Sequence, residues 1–344
     1  MNRDHNHHKG LFRRAAAVCL VGAMLISSVL YGLIGCDAPE PPDPASDGVL
    51  HVVVTSFPAE EFARAVLGDL LNGSGGEPVV LERLGKTGQD LHAFEPSAAD
   101  IRKLSGADIL ICIGSFAETW LDGAIRASGN RSLRVLSMTD VCELHEEEEL
   151  PGLGEHDHHH DHEHGEGTQV EYDEHVWTSF GNMARIVTAV RNTLTAALPE
   201  QAATLQANAA SYLLELDALR ADYQATVASA ADPVLVIADR YPFAYLMREL
   251  GVVCYAAFPG CSSETQASFS TQVMLTETVR DLHLPAVLYV DFGVASVADA
   301  VSRATGVPVR RLWSGQVASD TGLSYLDMLR ENLVSLRAAL GVTG

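Results

Sequence analysis

The sequence predicts an α/β protein: two lobes of parallel sheet and helices, joined by a long rigid backbone helix, with a cleft between the lobes. Three observations carry this. The chain has 344 residues, enough for two lobes with their own cores. Short β-branched runs alternate with segments of helical spacing, the mark of parallel βα units. The alternation occurs twice, on either side of a charged tract and a long helical stretch.

The first lobe spans 49–180. "VLHVVVTS" (49–56) reads as its first strand, bounded by a polar stretch and Pro58. In "AEEFARAVLGDLL" (59–71), Phe62, Val66, Leu67 and Leu70 recur at helical spacing. "EPVVLERLG" (77–85) is the second strand. "ADILICIG" (107–114) is nearly all apolar, as expected of a strand buried on both faces. "LRVLSMTD" (133–140) is another strand. Connecting helices fill 181–230. Within them, 199–230 opens with Pro at a first-turn position. Its stripe runs Leu205, Ala209, Tyr212, Leu216, Leu219, Tyr223, at steps of three and four. At 1.5 Å per residue, such a helix is on the order of 45 Å long and can cross two lobes.

The second lobe spans 231–344. "PVLVIAD" (233–239), "GVVCYAAF" (251–258), "PAVLYVDF" (285–292) and "VPVRRLW" (307–313) read as strands. "FAYLMREL" (243–250) and "SVADAVSRAT" (296–305) read as intervening helices, and 325–341 as a terminal amphipathic helix.

The N-terminus lies outside this fold. Arg3, Lys9, Arg13 and Arg14 precede an apolar run at 15–34, the pattern of a secretion signal. "LIGC" (33–36) resembles a bacterial lipobox, which implies cleavage after residue 35 and a lipid on Cys36. "DAPEPPDPASDG" (37–48) has the composition of an extended tether, giving a disordered segment over 36–48.

Charge narrows the partners. There are 45 acidic against 23 basic residues, a formal charge of −22. Nucleic acid is excluded, because phosphate binding needs clustered Lys and Arg. A negative field suits cations. Beyond Cys19 and Cys36, four cysteines remain: Cys112, Cys142, Cys254 and Cys261. An exported chain can oxidise them, and four Cys allow three pairings between which sequence does not choose. No CxxC or HExxH is present, so neither a thiolate zinc knuckle nor the zinc-protease arrangement is indicated.

Side chains that bind metal cluster where strands end. Ligands in open α/β sheets sit outside the carboxyl ends of strands. His92 lies in "GQDLHAFEP", after the second strand, and His175 lies in "YDEHVW". Asp239 ends "VLVIAD", and Asp291 nearly ends "VLYVDF". Imidazole nitrogen and carboxylate oxygen together suit zinc or a similar divalent ion. Taken singly, each residue has a blander reading: a hydrogen-bonded structural His, or an Asp that caps the next helix.

The chain resembles the metal-binding lipoproteins and periplasmic proteins that feed zinc or manganese ABC transporters. "DLHAFEPSAADIRKLSGADILICIG" resembles the family stretch in which a ligand His precedes an aromatic and "EP"; this places His92 as a ligand. "DEHVWTS" resembles the "DPHVW" element and places His175. "PEQAATLQANAASYLLELDAL" resembles the family's backbone helix. The second half departs from the common pattern. Many members carry a third His or a Glu three residues before Phe-x-Tyr. Here Phe243-Ala244-Tyr245 fits, but the strict position holds Arg240, which cannot ligate. The resemblance therefore points to Asp239, one residue earlier, then to Asp291, then to Glu264 in "CSSET".

Residues 145–167 hold seven His and nine acids. After Leu153 the tract has almost no apolar residue, so disorder is expected. His-rich tracts bind metal, and wrapping an ion costs chain entropy. His156, His158, His159, His160, His162 and His164 should therefore form several weak, exchangeable sites rather than one tight site. In zinc-binding members of the family, a His-rich loop occupies the same place before the second ligand element.

The expectation is a monomeric, lipid-anchored, extracytoplasmic receptor that binds zinc and hands it to an ABC permease with its ATPase, catalysing nothing. Manganese is the rival ion, with nickel or ferrous iron behind it. An exported zinc-dependent hydrolase and a surface metal buffer or adhesin are the rivals of another class.

Overall fold

A computed structural model describes residues 48–73, 78–85, 94–114, 116–147, 150, 172–260, 267–291, 293 and 295–343. The secretion signal, Cys36, the tether up to residue 47 and the six histidines from His156 to His164 lie outside the described residues, as do His92, Cys261 and Glu264.

Two four-stranded parallel sheets are built alike. The first contains β1 (Leu50–Val54), β2 (Val79–Arg83), β3 (Ile109–Cys112) and β4 (Arg134–Ser137), in the order β2-β1-β3-β4. The second contains β5 (Val234–Tyr241), β6 (Val253–Pro259), β7 (Val287–Val290) and β8 (Val309–Leu312), in the order β6-β5-β7-β8. Each order reverses between its two central strands, which makes a topological switch point at β1/β3 and another at β5/β7.

Side-chain alternation divides the core. Val52 and Val54, Ile109 and Ile111, Leu235 and Ile237, and Leu288 and Val290 face one shared central core. Their neighbours Val53, Leu110 and Cys112 face a separate outer core on the first sheet. Val236, Ala238 and Val287 do the same on the second. Period-two alternation with both faces buried explains why these strands read as unbroken apolar runs.

Helices fill the layers. On the outer face of the first sheet lie α2 (Ala98–Ser105) and α3 (Leu121–Ser128). The helices α1 (Phe57–Leu67), α4 (Phe180–Ala197) and α5 (Ala202–Ala228) contribute to the central core, as do α6 (Ala244–Leu250) and α9 (Tyr325–Ala339). On the outer face of the second sheet lie α7 (Phe269–Asp281) and α8 (Ser296–Thr305). The backbone helix is α5, of 27 residues, preceded by a 3-10 turn at Pro199–Gln201. Of the stripe expected from sequence, Leu205, Ala209, Leu216, Leu219 and Tyr223 are buried, and Tyr212 is half-buried. Tyr223 Oη donates to Leu329 O at 2.6 Å and ties α5 to α9.

Two sequence readings change. β5 does not end at Asp239 but runs on to Tyr241, with its pairing to β6 irregular between Ile237 and Arg240. None of the three complete cysteine pairings forms, because Cys112 and Cys142 are free thiols.

Candidate metal centre

His175 sits at the seam between the two sheets. It precedes a 3-10 turn, Val176–Thr178, and then α4, whose N-cap is Ser179. The turn lets the segment fold back on itself. Thr178 donates to His175 O from its backbone N at 3.1 Å and from its hydroxyl at 2.9 Å. Second-lobe residues close around the turn. Trp177 Nε1 donates to Ser314 O at 3.1 Å, and Tyr325 Oη donates to Trp177 O at 2.7 Å. The Trp177 ring lies 5.2 Å from the imidazole.

Asp173 fixes the imidazole. Its Oδ1 accepts from His175 N at 2.8 Å and pairs with Nδ1 at 2.7 Å. When Nδ1 carries the proton, Nε2 keeps its lone pair, the form a metal needs. Burial disfavours charge on the ring, with 1% of the residue exposed. The Asp173 carboxylate, with Glu174 and Glu147 beyond it, outweighs burial and holds the imidazole above its ordinary range.

Gly260, at the end of β6, stands against the ring. A Cβ there would lie 3.2 Å from His175 Cε1 and 2.9 Å from Tyr241 O. A side chain at this position would have to displace the imidazole or the β5 backbone.

Asp239 lies at the switch point of the second sheet. Oδ1 accepts from Arg240 N at 2.8 Å and Oδ2 from Val290 N at 3.1 Å, which bridges β5 to β7. Gly293 passes so close that a Cβ there would collide with the carboxylate. Asp291 follows β7 and accepts from Ser314 N at 2.8 Å. Burial pushes both carboxyls upward. These backbone bonds orient the two acids while leaving lone pairs on their oxygens for a cation. Among the described residues, no three His, Cys, Asp or Glu gather closely enough to hold a metal ion. His92 and Glu264, two of the five candidates, lie outside them.

Residues 52–339 match the family model of the zinc-uptake complex component A, periplasmic, ZnuA. The chain belongs to the ZnuA family.

Within and around the ZnuA family, the zinc-binding lipoprotein AdcA of Streptococcus pneumoniae TIGR4 is 27% identical over 321 residues, covering 92% of this chain and 60% of AdcA. The high-affinity zinc uptake system protein ZnuA of Bacillus subtilis is 26% identical over 300 residues, covering 85% of this chain and 88% of its own. This chain thus spans about three fifths of the AdcA relatives. The Zn(II)-bound ZnuA-like domain of S. pneumoniae AdcA superposes with a TM-score of 0.66 at 24% identity, covering 85% of this chain and 99% of that domain. The laminin-binding adhesin Lmb of Streptococcus agalactiae gives 0.69 at 20% identity, covering 85% and 99%. These superpositions establish the ZnuA-type fold.

Sequence reasoning passed over several residues of the centre. Asp173 carried a signal, an acid two residues before the candidate ligand His175. Gly260 and Ser314 carried none, because their roles depend on how the second lobe meets the first. Glu118 was also missed. It is buried where the first sheet has its switch point, with Oε2 accepting from Ile113 N at 2.9 Å and Gly114 N at 3.2 Å. Desolvation pushes its carboxyl up to about 7, against the Thr55 hydroxyl and those two amides, which favour the charged form.

Proposed function

We propose that this chain captures zinc outside the cytoplasm and delivers it to an ABC permease and its ATPase, without catalysing a reaction. The observation that carries the reading is His175, held by Asp173 as a ligand-ready imidazole at the seam between the lobes. Family membership supports it. His92 and His175 serve as ligands from the first lobe. Asp239, Asp291 and Glu264 are the second-lobe candidates, in that order. The histidines from His156 to His164, just before the His175 element in sequence, collect zinc weakly. A lipid on Cys36 anchors the chain to the membrane.

Isothermal titration tests the assignment in a background lacking residues 148–167, which keeps the Glu146–Tyr172 bridge closing the loop. The parent should bind one zinc tightly, and the His92→Ala, His175→Ala variant should not. Unchanged tight binding in the variant would sink the assignment. Manganese is the second reading, carried by the buried second-lobe carboxylates, since hard oxygen donors suit it. Competition between the two ions separates the readings.

A further inference from the structure

One short second-lobe helix grips the first lobe and the connecting helices through three of its side chains. In α6, Glu249 Oε2 accepts from Ser179 Oγ at 2.7 Å and Gly181 N at 3.2 Å, at the start of α4. Its Oε1 pairs with Arg220 Nε of α5 at 2.7 Å. Arg248 Nη1 lies 3.4 Å from His145 Nδ1. Tyr245 makes the third connection. Its hydroxyl donates to Asp173 O at 2.7 Å and accepts from His145 N at 3.1 Å.

Those two partners lie on opposite sides of the neck of the His-rich loop. Glu146 and Tyr172 form an antiparallel bridge there, and Asp173 N donates to His145 O at 3.0 Å. A single phenol therefore joins the segment entering the loop, the segment leaving it and the second lobe. The same Asp173 holds the His175 imidazole. The chain of contacts runs from Tyr245 Oη to the Asp173 backbone, then to the Asp173 carboxylate and the His175 ring. The Tyr245 ring is buried and packs 5.3 Å from that of His145, so the hydroxyl has little freedom to leave.

We propose that Tyr245 is a positioning residue of the metal centre: its hydroxyl clasps the loop neck and sets Asp173, and through it the orientation of His175. This rests on the reading of His175 as a zinc ligand. The clasp reaches His175 from a residue that never touches the ion. It also gives the second lobe a hold, through Asp173, on a first-lobe ligand.

The test is Tyr245→Phe in the full chain, which keeps the ring and removes the hydroxyl. Zinc affinity is measured by chelator competition, with His175→Ala alongside, and thermal unfolding of the metal-free forms checks folding. Zinc affinity should fall about tenfold, the low end for losing an outer hydrogen-bond partner of a ligating His. The 15N signals of the metal-free His175 ring should also move from one defined tautomer towards a mixture, which a general loss of stability would not produce. Wild-type affinity and tautomer in Tyr245→Phe, with binding lost in His175→Ala, overturns this inference alone. Wild-type affinity in His175→Ala overturns the ligand assignment and the inference with it. Should Tyr245→Phe not fold, the wild type with 13C-labelled tyrosine decides. The Tyr245 Cζ resonance must move on zinc saturation, and a resonance indifferent to zinc overturns the proposal.

Discussion

Asp173 does two things for His175: it orients the ring and raises its proton affinity. Both have measurable consequences. Asp173→Ala should weaken zinc binding by about 10- to 100-fold, the usual cost of losing an outer partner of a ligating His; chelator competition measures it. The proton works against the metal. Because the His175 pKa is raised, zinc affinity should begin to fall on acidification from a pH above the ordinary imidazole value of about 6.5. Asp173→Asn should shift that fall to lower pH, and a titration series of zinc affinity against pH would show it. Gly260→Ala should weaken zinc binding and also cost stability, since its Cβ would meet the ring 3.2 Å away and the Tyr241 backbone oxygen 2.9 Å away; chelator competition and denaturant unfolding measure the two. Of these residues only His175 stood out in the sequence, through the Asp-x-His-x-Trp pattern around it. Tyr245 meets Asp173 across a separation of 72 residues, and no local spacing encodes that meeting.

At the scale of elements, legibility followed burial. β3 and β5 sit at sheet centres with both faces covered, so their sequences are continuous apolar runs that read as strands. α8 was read at its exact bounds, Ser296–Thr305, because its buried Val297, Ala298 and Val301 recur at helical spacing against an exposed polar face. α7 was overlooked. Its sequence, FSTQVMLTETVRD, buries only Thr271, Leu275 and Val279, and leaves Phe269 and Val273 exposed, which blurs the apolar stripe. α3 went unread because it buries only Leu121, Ala124 and Ser128, which leaves two apolar residues to mark a stripe. α5 was legible through its stripe, and its packing should be costly to disturb. Leu216 is buried at 2% exposure. Leu216→Ala should destabilise the protein by roughly 2–5 kcal/mol, measured by denaturant unfolding of the metal-free protein.

The whole molecule is joined by one central core that runs from the first sheet, through α1, α4, α5 and α9, into the second. Two lobes sharing a core should unfold together, giving coincident denaturation curves from probes in either lobe. Glu118 makes the stability of this assembly depend on pH. Burial pushes its carboxyl up to about 7 in the fold, against an ordinary value of 4.5. A carboxyl with a raised pKa favours the fold below the unfolded value and loses that contribution as pH rises through the folded one. Metal-free protein should thus lose on the order of 3 kcal/mol between pH 4.5 and 7 from this group. Glu118→Gln, which keeps a carbonyl acceptor, should flatten that part of the stability profile. The two-lobed plan was plain in the sequence, because strand and helix patterns are local. The joining of the two cores was not, because it depends on which faces of α4 and α5 meet which sheet.

The bridge between Glu146 and Tyr172 has a consequence for how such a receptor changes over generations. It holds the residues that enter and leave the His-rich tract side by side. Lengthening a flexible loop costs only about 0.6 kcal/mol for each doubling. Histidines can therefore be gained or lost there by insertion and deletion almost without penalty to the fold. On the proposed reading, the number of histidines there is a dial that a lineage can turn to suit the scarcity of its metal, while Asp173 and His175 keep their geometry.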